Sequence, residues 1–139
     1  MKKILVTWGA GYIGSHTVVE LVKEGYTPII VDNLCNTSTQ NIEGIEQIIG
    51  NKIKWHNTDC TDKAAMDKVF AEEGTIEGTI HFAAYKAVEE SVQNPQKYYD
   101  NNLGSLEVLL KCMEENNVKN IIFSSSCTVY GMPDILPVD

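Results

Sequence analysis

Short apolar runs alternate along the chain with longer stretches in which apolar residues recur every three or four positions. The short runs are typical of strands buried on both faces, and the longer stretches are typical of amphipathic helices. The predicted strands are residues 4–7, 28–31, 53–56, 78–82 and 120–124. Four helices are predicted between them, with glycines ending the first three and Pro95 in the first turn of the fourth. The rest of the chain is predicted to be loop.

Two of these helices carry apolar stripes, and polar residues mark where two helices begin. The N-cap of the second helix is expected at Ser38 or Thr39, and that of the third at Thr61. The stripe of the second helix comprises Ile42, Ile45, Ile48 and Ile49. The stripe of the fourth comprises Leu106, Leu109, Leu110 and Met113. Such stripes predict helices that pack flat on a sheet.

A glycine-rich turn separates the first predicted strand from the first helix. Gly9, Gly11 and Gly14 have the spacing G-x-G-x-x-G, which lets the backbone turn tightly and approach a pyrophosphate. The free N–H groups and the positive dipole end of the following helix also favour phosphate. Alone, this spacing is weak evidence for a dinucleotide site.

Five alternations of strand and helix predict an α/β fold. Parallel strands need right-handed crossovers, so helices should cover both faces of a doubly wound, Rossmann-type parallel sheet. The expected strand order is 3-2-1-4-5, with the ligand crevice at the carboxyl ends of strands one and four. A complete fold of this type continues with a helix and a sixth strand. Residues 1–139 are therefore expected to form one domain, truncated before that strand.

Composition narrows the class of protein and its partners. A net charge of −8 argues against nucleic acid and anionic membrane surfaces as partners, because both favour a basic face. No apolar run approaches the roughly 20 residues of a membrane span, and a cytoplasmic protein is expected. The four cysteines form no C-x-x-C pair and have no histidine at metal-ligand spacing, so reduced thiols and no metal site are predicted.

Two aspartates follow predicted strands on the side of the crevice. Asp32 ends strand two, 18 residues after Gly14, where a carboxylate accepts hydrogen bonds from ribose hydroxyls and repels a 2′-phosphate. It therefore favours NAD over NADP, although a helix cap or loop carboxylate is the alternative. Asp59 ends strand three, where an adenine ring would lie, but a turn-forming role is nearly as plausible.

Residues after strands four and five also reach the crevice. In Phe82-Ala83-Ala84 the two alanines provide small side chains that let the backbone pass close to a cofactor, although such a pair is also common as plain packing. Lys86 adds a cation there, or is an ordinary exposed lysine. The serine run 124–126 can hydrogen-bond a substrate oxygen or form a polar turn. The three histidines share no face and have no carboxylate partner in the sequence pattern, so structural roles are expected for His16, His56 and His81.

Several motifs occur together in one order along the chain. They are Thr7-x-x-Ala10-Gly11-Tyr12-Ile13-Gly14-Ser15-His16, Asp32-Asn33-Leu34, His81-Phe82-Ala83-Ala84, Lys86-Ala87-Val88, Tyr98-Tyr99-Asp100-Asn101-Asn102 and Ser124-Ser125-Ser126-x-Thr128-Val129-Tyr130-Gly131. Together they resemble the extended short-chain dehydrogenase/reductase family, and within it the UDP-glucose 4-epimerase group. The segment 86–92 is the most discriminating, because the related nucleotide-sugar dehydratases differ there. The resemblance covers essentially the whole chain but only the N-terminal part of such an enzyme.

The resemblance implies a tightly held NAD, a UDP-hexose substrate and hydride transfer at C4 of the sugar, which interconverts UDP-glucose and UDP-galactose. Ser126 corresponds to the catalytic serine of the family. The expected cofactor-binding residues are Gly11, Tyr12, Ile13, Gly14, Asp32, Asn33, Asn36, Asp59, Cys60, Phe82, Ala83, Ala84, Lys86, Asn101 and Ser124.

The chain departs from the family pattern at two places. The family glycines correspond to positions 8, 11 and 14, and Trp8 replaces the first of them. An indole there would block the cofactor or strain the turn, unless Gly9 absorbs the turn and the indole swings aside, so impaired NAD affinity is expected. The family base belongs to a Tyr-x-x-x-Lys pair, and no tyrosine here has a lysine four residues later. Without that pair and the C-terminal substrate domain, no turnover is expected from residues 1–139.

Two other functions remain open at this stage. One is a different nucleotide-sugar epimerase or dehydratase on the same fold, and the other is a dinucleotide-binding module without catalysis. The serine run favours an enzyme. Apolar surface left uncovered along strand five and the fourth helix further predicts homodimerisation or other self-association.

Overall fold

A sheet of five parallel strands in the order β3-β2-β1-β4-β5 forms the centre of the molecule. The computed structural model describes residues 2–132, without the side chains of residues 127 and 128. The strands are β1 (Lys3–Thr7), β2 (Thr27–Asp32), β3 (Lys54–Asn57), β4 (Gly78–His81) and β5 (Asn120–Phe123). Thr7 pairs in register with Val31 on one side and His81 on the other, so the carboxyl ends of β1, β2 and β4 meet at one edge. The predicted fold class and strand order are confirmed.

Helices cover both faces of this sheet. They are α1 (Tyr12–Lys23), α2 (Thr39–Ile49), α3 (Lys63–Glu73), α4 (Val88–Gln93), α5 (Pro95–Tyr98) and α6 (Gly104–Glu115). Successive strand residues alternate between two cores: Leu5 packs with α3 and α6, whereas Val6 packs with α1 and α2. This alternation explains why β1, β2 and β4 read as apolar runs, since residues on both of their faces are buried.

The predicted helix starts are partly corrected. Ser38 is the N-cap of α2, as predicted. The N-cap of α3 is Asp62 and not Thr61, because the Asp62 carboxylate accepts a hydrogen bond from the backbone N–H of Ala65 at 3.0 Å. Thr61 instead donates its backbone N–H and its hydroxyl to Asp59. Asp62 therefore caps the helix, and Thr61 stabilises the turn that starts at Asp59.

The long helix predicted from Pro95 is confirmed as one continuous helical run from Pro95 to Glu115. It comprises α5, a π-helical turn over Tyr99–Leu103, and α6. A π turn inserts one extra residue into a helix. This one precedes α6 and leaves the spacing within the predicted stripe unchanged, because the whole stripe lies in α6. Leu109 and Met113 are buried as predicted, whereas Leu110 is exposed. Ser105 and Cys112 complete the buried face of α6.

The end of α2 also differs from prediction. Ile42 and Ile45 are buried under the helix, but Ile48 is 68% exposed. Ile48 lies on a side of α2 that faces away from the core, which Ile49 still contacts, and it borders a surface cleft. The helix therefore contributes to that cleft as well as to the core.

Strand β5 is the exposed edge of the described sheet. Ile122 is 64% exposed and Phe123 is 53% exposed, as expected for an uncovered strand five. After β5, Cys127–Tyr130 form a 3₁₀-helical turn within the predicted loop, and residues 133–139 of that loop lie outside the described residues. Within residues 2–132, no helix combines the length and the apolar character needed to cross a membrane.

Candidate functional site

The turn between β1 and α1 is built by three close backbone approaches. Trp8 has a left-handed φ of 52°, donates its N–H to the Val31 carbonyl at 2.7 Å and accepts from the Gly11 N–H at 3.0 Å. A Cβ on Gly14 would come within 2.2 Å of the Trp8 carbonyl oxygen. Glycine is therefore obligatory at position 14, whereas the left-handed conformation that glycine favours is occupied by a tryptophan at position 8.

Helix α1 starts from this turn and points its N-terminus at the cleft. Its first intrahelical bond runs from the Ser15 N–H to the Gly11 carbonyl, so the N–H groups of Tyr12, Ile13 and Gly14 precede the helical ladder. The first turn carries no acidic side chain. The geometry is that of an anion site at a helix N-terminus.

Asp32 lies at the end of β2 directly beside this turn. Its side chain is buried, and one carboxylate oxygen accepts from the Ala10 N–H at 3.1 Å. The other oxygen accepts from the Leu34 N–H and the Thr37 hydroxyl. A carboxylate offers about four acceptor positions, so Asp32 organises the loop after β2 and keeps capacity for one further donor.

Asp59 follows β3 and is joined to the loop after β2 by Asn33. The Asn33 amide donates to Asp59 at 3.1 Å, and Thr61 donates both its N–H and its hydroxyl. Burial acts to raise the pKa of the Asp59 carboxyl, but these hydrogen bonds outweigh it and hold the pKa below its usual value. Asp59 is therefore an ionised acceptor at neutral pH.

Two surface hollows meet at this edge of the sheet. The main cleft has a volume of about 720 Å³ and is bordered by the start of α1, by α2 and by the segment after β4. It brings together eight of the predicted site residues: Gly11, Tyr12, Ile13, Gly14, Asn36, Phe82, Ala84 and Lys86. The side hollow has a volume of about 470 Å³ and contains the predicted residues Asp59 and Asn101. Tyr85 borders both hollows.

The remaining six predicted residues line neither hollow. Two of them are Asp32, at the end of β2, and Asn33, in the loop that follows. Cys60 and Ala83 are buried in the core on the α3 side, and burial raises the pKa of the Cys60 thiol well above its ordinary value. Ser124 and Ser126 are exposed beyond β5, where the Ser124 N–H donates to the His81 carbonyl at 3.1 Å. Within the described residues, no three His, Cys, Asp or Glu side chains form a cluster that could hold a metal ion.

A buried Thr7–His81 pair fixes the start of the segment after β4. The Thr7 oxygen accepts from the N–H groups of Phe82 and Ala83, so its hydroxyl proton points to His81 Nδ1 at 3.0 Å. The ring is therefore neutral with its proton on Nε2, and burial lowers the pKa of His81 to about 4. This Nε2–H has no partner within the described part of the chain. The structural role expected for His81 agrees with this geometry.

The other two histidines differ from one another. His16 is exposed on α1 and contacts the Tyr12 ring edge-on at 5.1 Å. The expected absence of a carboxylate partner is wrong for His56, whose Nε2 lies 2.7 Å from a Glu73 oxygen. Glu73 is distant in sequence, and only the packing of α3 against β3 brings the two together.

Sequence reasoning missed two residues that shape the site. Tyr85 separates the hollows, and Asn102 clamps its backbone by accepting from the Tyr85 N–H at 2.8 Å and donating to the Tyr85 carbonyl at 3.1 Å. Asn101 is an expected cofactor-binding residue, whereas for Asn102 the sequence offers only its place in the motif 98–102. A lone tyrosine inside a loop carries no periodic signal that could reveal its position.

Comparisons with known proteins agree with this geometry. The model of the NAD dependent epimerase/dehydratase family matches residues 4–139. The UDP-glucose 4-epimerase of Dictyostelium discoideum is 51% identical over 98% of this chain and 39% of its own length. That of Haemophilus influenzae is also 51% identical, over 97% of this chain and 40% of its own. The chain thus spans about two fifths of these curated relatives.

Solved structures give the same family and the same fold. The crystal structure of UDP-glucose 4-epimerase from Bifidobacterium longum in complex with NAD⁺ and UDP superposes with a TM-score of 0.94 and is 53% identical. It is covered over 41% of its length by 99% of this chain. The UDP-glucose 4-epimerase from Brucella ovis in complex with NAD has a TM-score of 0.87 at 37% identity, over 99% of this chain and 40% of its own.

Proposed function

This chain belongs to the NAD dependent epimerase/dehydratase family, and we propose that residues 1–139 are the NAD-binding Rossmann domain of an enzyme that interconverts UDP-glucose and UDP-galactose. The observation that carries the proposal is the N-terminus of α1, which opens on the main cleft beside the Asp32 carboxylate. Phosphate at a helix N-terminus and ribose at the end of β2 are the two contacts that a dinucleotide needs.

The described residues fit NAD at its phosphate end. The backbone N–H groups of Tyr12 and Ile13 would bind the pyrophosphate, and the close packing of Gly14 on Trp8 sets the approach of the helix. The remaining acceptor position of Asp32 suits a ribose hydroxyl, and the segment from Phe82 to Lys86 lines the opposite wall. When bound, NAD supplies the acceptor and donor of the hydride at C4 of the sugar.

Ser126 is proposed as the catalytic residue of this domain. It is exposed beyond β5, at the same edge of the sheet as the glycine turn, where its hydroxyl would hydrogen-bond the reacting oxygen of the UDP-hexose. The relatives' other three fifths lie outside the match, and we propose that the Tyr-x-x-x-Lys pair and the sugar pocket belong there. Residues 1–139 alone are accordingly expected to show no interconversion of UDP-hexoses.

The cofactor proposal predicts a preference for NAD over NADP. The charge of Asp32 would repel a 2′-phosphate, so NADP should bind at least about tenfold more weakly than NAD by calorimetry. Asp32→Asn should weaken NAD and narrow that ratio. Glu43→Gln, which removes an exposed carboxylate from α2, is the matched control and should leave both affinities unchanged. Equal NAD and NADP affinities in the unmodified chain would contradict the role of Asp32.

We also propose that the chain self-associates through β5. Besides Ile122 and Phe123, the apolar surface includes a groove of about 540 Å³ between α1 and β5. An exposed strand edge flanked by apolar side chains is a typical site for pairing with a second copy.

Self-association predicts a mass that rises with protein concentration in light scattering. Ile122→Lys should shift the chain toward the monomer, because a lysine charge at the pairing edge opposes association. Ile48→Lys, on α2, is the control, since Ile48 has a nearly identical exposure of 68% against 64%. A monomeric mass for the unmodified chain at high concentration would overturn the proposal.

A further inference from the structure

The wall between the main cleft and the side hollow consists of two aromatic rings. The Trp8 indole contacts the Tyr85 ring edge-on, with centroids 5.8 Å apart. Trp8 borders the main cleft, whereas Tyr85 borders both hollows. The contact therefore lies between the N-terminus of α1 and the Asp59 carboxylate.

Each ring is also held in place by contacts outside the Trp8–Tyr85 pair. Trp8 is partly buried against the core on the α3 side, and its backbone is fixed by the hydrogen bonds to Val31 and Gly11. On the other side, the Tyr98 ring lies 5.7 Å from Tyr85, and the Lys97 ammonium lies 4.8 Å from the centre of the Tyr85 ring. The wall thus connects the glycine turn to α5.

The charged groups around the Tyr85 ring favour this closed arrangement. Lys97 forms an ion pair with Glu90 of α4, and the Tyr98 hydroxyl donates to the same carboxylate at 2.9 Å. Burial raises the pKa of the Tyr85 phenol, so the ring is neutral and retains its attraction for the lysine cation. Opening the wall by moving the Tyr85 ring breaks both its contact with Trp8 and its contact with Lys97.

We propose that Trp8 and Tyr85 form one gate that sets the affinity of the domain for adenine dinucleotides, with Tyr85 a specificity-determining residue. The inference rests on the proposed NAD-binding function. A dinucleotide with its phosphates on α1 and its adenine beside Asp59 has to pass between the two rings. The dinucleotide cannot pass while the two rings are in contact. Its apparent dissociation constant therefore equals the intrinsic one divided by the fraction of molecules in which the gate is open.

The expected penalty follows from the contacts that opening breaks. An edge-to-face aromatic pair and a partly exposed cation–π contact together reduce the open fraction by about tenfold to a hundredfold. Both rings belong to the same contact, so removing either ring should restore most of the NAD affinity that the closed gate costs. Removing both rings should restore little more.

NAD titration of four proteins by calorimetry tests the gate: the unmodified chain, Trp8→Gly, Tyr85→Leu and the double variant. Each single variant should bind NAD about tenfold or more tightly than the unmodified chain, and the gain in the double variant should fall well short of the product of the two. Tyr99→Leu is the matched control, because Tyr99 is an exposed aromatic residue of the neighbouring π turn. It should leave NAD affinity unchanged.

Indole fluorescence gives a second readout that does not depend on affinity. The chain has two tryptophans, so in a Trp55→Phe background Trp8 is the only emitter when excitation is set to a wavelength that tyrosine does not absorb. Saturating ADP should shift its emission to the red as the indole leaves Tyr85. Tyr85→Leu in this background should show the shifted emission before any ligand is added.

The outcomes separate the two proposals. Equal NAD affinity in all four proteins, or fully multiplicative gains, would overturn the gate and leave the NAD-binding function standing. Absence of NAD binding in all four, including the double variant, would overturn the cofactor function and the gate with it. Melting temperatures of the variants identify any that fail to fold. If Trp8→Gly is one of these, the Trp8 emission of the Tyr85→Leu protein tests whether the two rings are in contact.

Discussion

Gly14→Ala is expected to destabilise the fold by about 3 kcal/mol or more, measured as the free energy of unfolding in urea. The new Cβ would meet the Trp8 carbonyl oxygen at 2.2 Å and the Gly9 Cα at 2.8 Å. Both contacts are backbone atoms that no side-chain rotation can move. The turn would have to open, and the hydrogen bonds from Trp8 and Gly11 that define it would be lost.

The matched control for this substitution is Gly44→Ala. Gly44 lies within α2, and a Cβ there meets no atom within 4 Å. Alanine is the better helix former, so this variant should gain up to about 1 kcal/mol. Opposite signs for the two variants would establish that the effect at position 14 is a steric one. A Gly14→Ala protein as stable as the unmodified chain would show that the turn can relax and would contradict the close approach.

The architecture was predictable because its signals are local. Each buried strand is an apolar run between breakers. The order 3-2-1-4-5 is that of the Rossmann-type fold, which the alternation of strand and helix together with the glycine turn favours. The Asp32 carboxylate could also be placed at the carboxyl edge of the sheet, since it is the last residue of β2.

The features that the sequence did not reveal depend mostly on contacts between distant residues. The π turn at Tyr99–Leu103, within the predicted long helix, is a local exception, and no single residue there indicates it. The His56–Glu73 contact joins residues 17 positions apart, and Tyr85 meets Trp8 only because Asn102 holds the intervening loop. The sequence shows that Trp8 departs from the glycine of the family pattern. That its ring contacts Tyr85 is known only from the structure.

Glu73→Gln is the second large expected effect, a destabilisation of about 2 kcal/mol at neutral pH. The Glu73 side chain is fully buried at the end of α3. Its carboxylate receives Lys54 at 2.9 Å, His56 at 2.7 Å and Lys3 at 3.4 Å. Glutamine keeps the shape but removes the charge that all three groups face. Because Lys3 and Lys54 remain partly exposed to solvent, the loss is smaller than for a fully buried ion pair.

The free energy of unfolding at acidic pH shows whether the Glu73 charge stabilises the fold. Burial acts to raise the pKa of Glu73, but the hydrogen bonds and charges of His56, Lys54 and Lys3 outweigh it and lower the pKa below 4.5. A lowered folded-state pKa contributes stability that is present above the unfolded value and is lost as pH falls through the folded value. The gap between the unmodified chain and Glu73→Gln should therefore shrink as the pH falls below 4.5.

The neighbouring glutamate separates this network from general surface charge. Glu72 has 66% of its side chain exposed and reaches only His56, at 3.7 Å. Exposed ion pairs contribute little, so Glu72→Gln should change the free energy of unfolding by less than about 0.5 kcal/mol at every pH. If the two variants lost stability equally, the loss would come from net charge and not from the buried carboxylate. If only Glu73→Gln loses stability, the stabilising charge is that of the buried Glu73 carboxylate. This carboxylate joins α3 to β3 at the end of the sheet opposite the proposed cofactor site.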